Sequence, residues 1–204
     1  MPRLLILCEY PTLLGGERSM LSTLGAIAAA GFDIHVAAPP TGPLADALRT
    51  RGVPFVGWSG REQLAQIIRR VRPDLLHANS LSTARSSGPV AEAAGVPSVG
   101  HLRDIAKLSQ QAVADLNCHR RLVAVSHATR DFHAGQGVDP AKCVIINNGV
   151  DLEMFRPRPP SGYLHRELGL PADARLVATI GQIGLRKGVD VALAAAKLVP
   201  DMHW

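Results

Sequence analysis

Short apolar runs alternate with helix-like stretches along most of this sequence. Seven runs of mostly aliphatic residues, each bounded by polar or turn residues, predict β-strands. They cover residues 3–8, 33–38, 54–58, 74–79, 97–102, 121–126 and 142–147. The stretches between them predict helices over 17–30, 43–51, 61–72, 81–95, 109–117 and 127–136. This strict alternation predicts an α/β fold with a doubly wound parallel sheet and right-handed crossovers.

The pattern changes after Asp151. The segment MFRPRPPSG has four prolines or glycines in nine residues. Neither a helix nor an inner strand tolerates that composition, so it predicts a linker. A short helix is predicted just beyond it, over 162–169.

A new strand–turn–helix pattern closes the sequence. The run over 175–180 predicts a strand, a glycine-rich turn follows, and 189–199 predicts a helix. This is half of a βαβ unit, whose second strand would begin near Met202, where the sequence stops. We therefore expect a truncated second domain. The predicted boundaries are 1–152 for the first domain, 153–172 for the linker and 173–204 for the start of the second.

Composition narrows the class of protein. Hydrophobic residues make up 47% and aromatic residues only 4%, which suits the aliphatic core of a parallel sheet. The formal net charge is +5, but the basic residues are scattered and not interleaved with aromatic ones, so we expect no nucleic-acid partner. An odd set of three cysteines without a CxxC motif favours reduced thiols and a cytoplasmic location. We find no signal peptide and no apolar run long enough to span a membrane.

The stretch REQLAQIIRRVR has two interpretations. Leu64, Ile67, Ile68 and Val71 share one side of a helix, with arginines around them. Such a helix could lie in a membrane interface on the inner face of the membrane. We favour a helix that covers the sheet and exposes a charged outer face, and we expect at most a weak peripheral membrane contact.

The polar residues that follow the strands are the candidates for ligand binding. In open α/β sheets, ligands bind outside the carboxyl ends of the strands. Gly15 and Gly16 follow the first strand at the start of a helix, where free backbone amides favour an anion. The alternative is an ordinary turn. No GxGxxG motif is present there, which argues against an ordinary NAD-binding domain.

The sequence HLRD places His101, Arg103 and Asp104 after the fifth strand. A histidine at this edge can donate to a sugar hydroxyl or stabilise charge; a hydrogen-bonded structural histidine is the alternative. Ser126 is predicted to cap the helix that follows it. The histidines form no metal-ligand pattern and no GxSxG motif occurs, so we expect no metal and no hydrolase nucleophile.

The turn GQIGLRKG in the second unit combines three glycines with Arg186 and Lys187 before a helix. It is not a P-loop, but flexible backbone, two cations and a helix N-terminus suit a phosphate. A solvated basic loop is the alternative.

Taken in order, these segments resemble one family. The GG after strand one, PDLLHAN, VGHLRD, VAVSHATRDF, KCVIINNGVDLEMFRP and IGQIGLRKGVDVALAA are similar to the glycosyltransferase group 1 family, also called family 4. The resemblance covers essentially the whole sequence, and its last two segments are the most specific. It implies the GT-B fold, in which two Rossmann-like domains face a cleft. The N-terminal domain then holds mainly the acceptor and the C-terminal domain mainly the nucleotide sugar.

The resemblance also implies a chemistry. It implies sugar transfer with retention of the anomeric configuration, without a bound metal or other cofactor. Gly15 and Gly16 would lie against the donor phosphates, and His101 would be the catalytic residue near the transferring sugar. Lys187, with Arg186, would neutralise the leaving diphosphate. The segment from Asn148 to Asp151 would mark the hinge.

Two features depart from the family pattern. The family commonly has an arginine where this sequence has Gln182, which keeps hydrogen bonding but loses the charge. The family also carries two glutamates, separated by seven residues, that bind the donor; the sequence stops before they could occur. We expect further contacts with the donor or the acceptor from Gln182, Arg103, Asp104 and Ser126.

The function expected from these features is that of the N-terminal half of a retaining, hexosyl-type glycosyltransferase. Its donor would be a nucleotide sugar and its acceptor a glycan or a lipid. This fragment by itself would be inactive. The alternatives are a non-catalytic sugar- or acceptor-binding module, or another GT-B enzyme such as a sugar-nucleotide epimerase.

Overall fold

The computed structural model describes residues 1–181, 183–184, 187–199 and 201–203. The chain divides into two compact units, Met1–Val150 and Asp151–Trp204.

The first unit contains a sheet of seven parallel strands. Their bounds are β1 (Arg3–Leu7), β2 (Asp33–Ala38), β3 (Phe55–Gly57), β4 (Leu75–Ala78), β5 (Ser98–Leu102), β6 (Arg121–Ala124) and β7 (Cys143–Ile145). The strand order is β3-β2-β1-β4-β5-β6-β7. The order reverses between β1 and β4, which makes this the topological switch point of a doubly wound fold. The predicted fold class is therefore confirmed.

Six helices connect these strands. They are α1 (Gly15–Ala29), α2 (Pro43–Thr50), α3 (Arg61–Val71), α4 (Leu81–Ala93), α5 (Gln110–Asn117) and α6 (His127–Ala134). A one-turn 3-10 helix, Pro140–Lys142, precedes β7. Serine caps begin three of the helices, because the hydroxyl oxygens of Ser80, Ser109 and Ser126 accept backbone N–H groups of the first turn. The bounds of these strands and helices differ from the sequence prediction by at most two residues.

Two apolar clusters lie on the two faces of this sheet. Leu5, Leu76 and Leu122 pack on the face covered by α3, α4 and α5. Leu4 and Ile6, the alternate residues of β1, pack on the other face beneath α1 and α2. The alternation of side chains along each strand produces this division.

The burial of the apolar side of α3 decides between the two interpretations of this helix. Leu64, Ile67, Ile68 and Val71 are all buried in the cluster with the sheet. The helix therefore covers the sheet and turns its arginines outward, as the favoured interpretation predicts. Among the described residues, no helix has the length and apolar character that crossing a membrane requires.

Two glycines allow close packing of α4. A Cβ at Gly100 would come within 3.0 Å of the Ala84 side chain, and a Cβ at Gly88 within 2.1 Å of the Asp115 carbonyl oxygen. The absence of these side chains lets α4 lie directly against β5 and α5. This packing fixes the strand that carries His101.

The second unit contains α7 (Tyr163–Glu167) and α8 (Val189–Ala196). The prediction of a strand over 175–180 is wrong. Within the described residues only Leu176 of this run forms a bridge, which is parallel and pairs it with His203. Two backbone hydrogen bonds support the bridge, from Val177 N to His203 O and from His203 N to Arg175 O. A ladder needs a neighbour of comparable length, and within the described residues this run finds one partner residue.

Candidate functional site

The candidate site lies where β1, β4 and β5 end at the switch point. β1 pairs with β2 on one side and with β4 on the other, and β4 pairs with β5. The residues that follow these three strands therefore meet at one edge of the sheet. Two of the predicted candidates, Gly16 and Arg103, lie together there.

Arg103 links the chain segments of this edge. Its Nε donates to the backbone oxygen of Asn79 at 2.8 Å, and its Nη2 donates to the Asn79 side-chain oxygen at 2.9 Å. Its Nη1 lies 3.2 Å from Oδ1 of Asn148 and 3.5 Å from Oγ of Ser19. The guanidinium thus joins the end of β4, the N-terminal part of α1 and the segment after β7.

The start of α1 completes this arrangement. The side-chain nitrogen of Asn79 donates to the carbonyl oxygen of Gly16 at 3.1 Å. A Cβ at Gly16 would lie 3.7 Å from the Arg103 side chain, whereas nothing lies within 4 Å of a Cβ at Gly15. The first amides of a helix have no acceptor inside the helix. Gly15 therefore presents an open N-terminus that suits an anion.

One acidic side chain already occupies this helix terminus. Glu17 is only 6% exposed, and its carboxylate accepts the backbone N–H of Leu14 at 3.2 Å. Burial lowers the pKa of Arg103, while the negative charge of Glu17 opposes that shift. The neighbouring Cys8 thiol is protonated, because burial and then Glu17 raise its pKa to about 12. Cys8 is thus no nucleophile.

His101 stacks on His77, which lies on the neighbouring strand β4. The ring centroids are 5.7 Å apart and the planes differ by 23°. Burial, with a further contribution from the positive charge of Arg103, lowers the pKa of His101 to about 3 and that of His77 to about 4. Both rings are therefore neutral at physiological pH.

The ring nitrogens of this pair are unusual in lacking partners. Nε2 of His77 and both ring nitrogens of His101 are shielded from solvent and have no hydrogen-bond partner in the described part of the protein. An unsatisfied buried polar group costs about 1–3 kcal/mol. Such groups in a native fold are candidates for a functional role.

The loop after β5 is held from the side of α6. His133 lies 2.8 Å from the carbonyl oxygen of Asp104 through its Nε2. Gln136 accepts the backbone N–H of Leu108 at 2.7 Å and donates to the carbonyl oxygen of Ala106 at 3.1 Å. These hydrogen bonds fix the conformation of the loop that carries Arg103 and Asp104.

The other predicted residues are distributed as follows. Ser126 follows β6 and caps α6: its hydroxyl oxygen accepts the backbone N–H of Thr129 at 3.1 Å. Lys187 lies in the second unit, where its side chain is exposed and runs beside Gly181. Gln182 and Arg186 lie outside the described residues. Within those residues no group of three metal-ligating side chains gathers.

Four residues join the predicted ones at this site, namely Ser19, Glu17, Asn79 and His77. Asn79 and His77 belong to the segment PDLLHAN, so their position near the end of a predicted strand made them candidates. Their contacts with Arg103 and His101 depend on the register of β4 against β5, which pairs His77 with Val99. Glu17 follows the glycine pair directly, and its place in the first turn of a helix was the available signal.

Solved structures with this fold define the class. The HepE protein of Anabaena in complex with UDP matches 97% of this chain with a TM-score of 0.79 at 18% identity, and the chain covers 58% of it. A glycosyltransferase of Rickettsia africae matches 97% with a TM-score of 0.76 at 17% identity, and 57% of it is covered. At this identity the likeness shows the fold, which is that of GT-B glycosyltransferases.

Sequence relatives identify the family. The model of Glycosyltransferase Family 4 matches residues 14–154. The D-inositol 3-phosphate glycosyltransferases of Mycobacterium tuberculosis and Mycobacterium bovis are 32% identical over 148 residues, or 72% of this chain. The chain belongs to Glycosyltransferase Family 4. The matched segment spans 28% of the length of these relatives.

Proposed function

We propose that this chain forms the N-terminal half of a retaining glycosyltransferase that moves a hexosyl group from a nucleotide sugar to a hydroxyl acceptor. The observation that carries the proposal is the edge at the switch point, where the open N-terminus of α1, the Arg103 guanidinium and the neutral His101 lie together. Each of these groups matches a part of the substrates.

The start of α1 suits the diphosphate of a nucleotide sugar. The amides of Gly15 and Gly16 can donate to phosphate oxygens, and the helix dipole favours negative charge there. The buried charge of Glu17 limits this attraction and is offset by Arg103. HepE of Anabaena has been solved with UDP-glucose, with 96% of this chain matched at a TM-score of 0.77. That neighbour supports a nucleotide sugar as the donor.

His101 suits the sugar that is transferred. As the bond between the anomeric carbon and the phosphate oxygen breaks, the electron pair leaves with the diphosphate and the sugar ring becomes positive. A neutral imidazole can bind a sugar hydroxyl there, whereas a charged one would repel the ring. The acceptor oxygen then bonds to the anomeric carbon, and the acceptor proton passes to the released nucleoside diphosphate or to solvent.

The leaving diphosphate gains charge in this step, and Lys187 with the N-terminus of the helix that begins at Val189 neutralises it. No metal is part of the proposed site. Adding EDTA to the transfer reaction tests this point, since activity should survive it.

The acceptor is a hydroxyl compound, and three chemical classes of acceptor are candidates for the experiment. The resemblance implies a glycan or a lipid-linked sugar. The mycobacterial relatives are D-inositol 3-phosphate glycosyltransferases, which adds a phosphorylated cyclitol, and Arg103 is a cation at this edge that could attract such a phosphate. These three classes form the acceptor panel.

The test uses the protein encoded by the complete reading frame. It is incubated with UDP-glucose or another nucleotide sugar and with each acceptor, and acceptor-dependent release of the nucleoside diphosphate is measured. Proton NMR of the product then reads the anomeric configuration, which should be retained. His101→Ala should abolish most of the transfer, while His127→Ala, which removes an exposed histidine following β6, serves as the matched control.

Other outcomes support the alternatives. Binding of nucleotide sugar without release, for every acceptor, would favour a non-catalytic binding module. Conversion of a UDP-sugar to its epimer would favour an epimerase. The UDP-GlcNAc 2-epimerase of Methanocaldococcus jannaschii shares the fold, although with a TM-score of only 0.52 over 72% of this chain.

A further inference from the structure

His77 and His101 occupy the same face of adjacent strands. β1 pairs Ile6 with His77, and Ile6 packs beneath α1, so His77 lies on that face. β4 pairs His77 with Val99, which places His101 two residues further along β5 on the same face. The two rings therefore meet diagonally across the strand pair, with His77 one step deeper from the edge.

Other buried histidines of this domain are held through their nitrogens. His119 has Nδ1 2.8 Å from Oγ of Ser98 and Nε2 2.8 Å from the carbonyl oxygen of Ala84. His133 has Nε2 2.8 Å from the carbonyl oxygen of Asp104. His101 has no such contact at either nitrogen within the described residues. Its ring must be oriented in another way.

The terminal torsion of a histidine side chain is broad, so its rotamer does not fix the plane of the ring. The ring contact identified for His101 is the stack with His77, at 5.7 Å and nearly parallel. A stacked aromatic face constrains the plane of its neighbour without using either ring nitrogen.

We infer that His77 is a positioning residue: its ring orients the His101 imidazole and excludes water from one side of it. The inference rests on the proposed function for its consequence in catalysis, but not for the contact itself. Arg103 and His77 are the charged and titratable groups that act on His101, after burial. Loss of the His77 ring would admit water and loosen the His101 plane.

Three variants test this. His77→Ala removes the stacked face, His77→Phe keeps an aromatic face without nitrogens, and Val99→Ala makes a comparable truncation on the same face beside His77. NMR titration of the His101 ring in this 204-residue chain gives a readout that needs no activity. In the wild type we expect His101 to remain neutral down to about pH 3. Its pKa should change little in His77→Phe and Val99→Ala. In His77→Ala it should rise by about one unit or more, because solvation favours the charged form.

Activity of the full-length protein gives the second readout. His77→Ala should lower kcat about tenfold with little change in the KM for the donor, because a misplaced catalytic group loses rate. His77→Phe should restore most of that loss. In a His101→Ala background, His77→Ala should have no further effect, since a residue that acts through His101 must be coupled to it.

Several results would overturn the inference. An unchanged His101 titration in His77→Ala, equal damage from His77→Phe, or additive effects in the His101→Ala background would each show that the stack does not position His101. Equal effects of Val99→Ala would show ordinary packing. If the titration results hold but no nucleotide sugar is consumed, the positioning contact stands and the proposed function fails.

Discussion

Both units contain the sequence pattern of apolar run, turn and helix, but only in the first unit are the apolar residues of this pattern buried. In the first unit Leu5, Leu76 and Leu122 have no exposed surface. In the second unit Ile180 is 97% exposed and Leu193 is 62% exposed. None of the described residues of this unit is buried. The pattern along the chain is equivalent in the two regions; the number of neighbouring strands is not.

This difference shows where stability comes from in such a fold. In the second unit no ladder of strands forms among the described residues to cover the apolar side chains, and isolated pieces of sheet are marginal in water. In the first unit seven hydrogen-bonded strands form one sheet, and helices cover both of its faces. They also hold β4 and β5 in a fixed register, so that Arg103 after β5 reaches Asn79 after β4, Ser19 on α1 and Asn148 after β7.

The largest expected effect is on transfer itself. If the second unit begins a donor-binding domain, the 204-residue chain holds only part of the donor site. We expect no detectable sugar transfer from it under conditions in which the full-length protein is active. Robust transfer by this chain alone, measured as nucleoside diphosphate release, would show that the first unit contains a complete site.

The next effect concerns the second unit in the full-length protein. Lys187→Ala should lower kcat by about 10²–10³-fold, because a cation beside the leaving diphosphate is worth more in the transition state than in the ground state. Lys197→Ala, at the end of α8, is the control and should change little. An unchanged kcat for Lys187→Ala would move the phosphate contact to another cation, with Arg186 the first to examine.

A pair of leucine substitutions compares the two units directly. Leu122→Ala should lower the free energy of unfolding by about 2–5 kcal/mol, as large-to-small changes in a packed core do. Leu193→Ala on exposed α8 should stay within about 0.5 kcal/mol. Urea denaturation followed by circular dichroism measures both. Equal losses would mean that α8 is packed as tightly as β6.

Acid should weaken the first unit gradually. Because the pKa values of His77 and His101 are lowered to about 4 and about 3, the unfolded chain binds protons near pH 6.5 that the folded chain does not. Stability is therefore complete above about pH 6.5 and decreases as the pH falls toward 4, by at most about 1.4 kcal/mol per pH unit for each ring. Partial exposure of His101 reduces its share.

Urea midpoints at pH 7.5 and pH 5.0 measure this effect. His77→Phe removes one titrating ring and should give a shallower dependence. Equal midpoints at the two pH values would contradict the neutral, desolvated state of the pair.

The strands and helices of the first unit were predictable because period and turn residues are local properties of the sequence. The strand predicted over 175–180 failed for the opposite reason: strand formation depends on a partner, and Leu176 finds only His203. In the site, the positions of Gly16 and Arg103 after strands could be predicted, but His101 proved to lie within β5. The roles of Asn79 and His77 could not, because they depend on a register between strands more than twenty residues apart.

Native-state hydrogen exchange on this chain tests the central claim most directly, namely that the first unit buries its apolar residues in a packed core while the second leaves them exposed. The amides of β1, β4 and β5 should exchange only with global unfolding, at about 5–15 kcal/mol, and those of α8 should exchange at nearly unprotected rates. Equal protection of α8 and β5 would contradict the account.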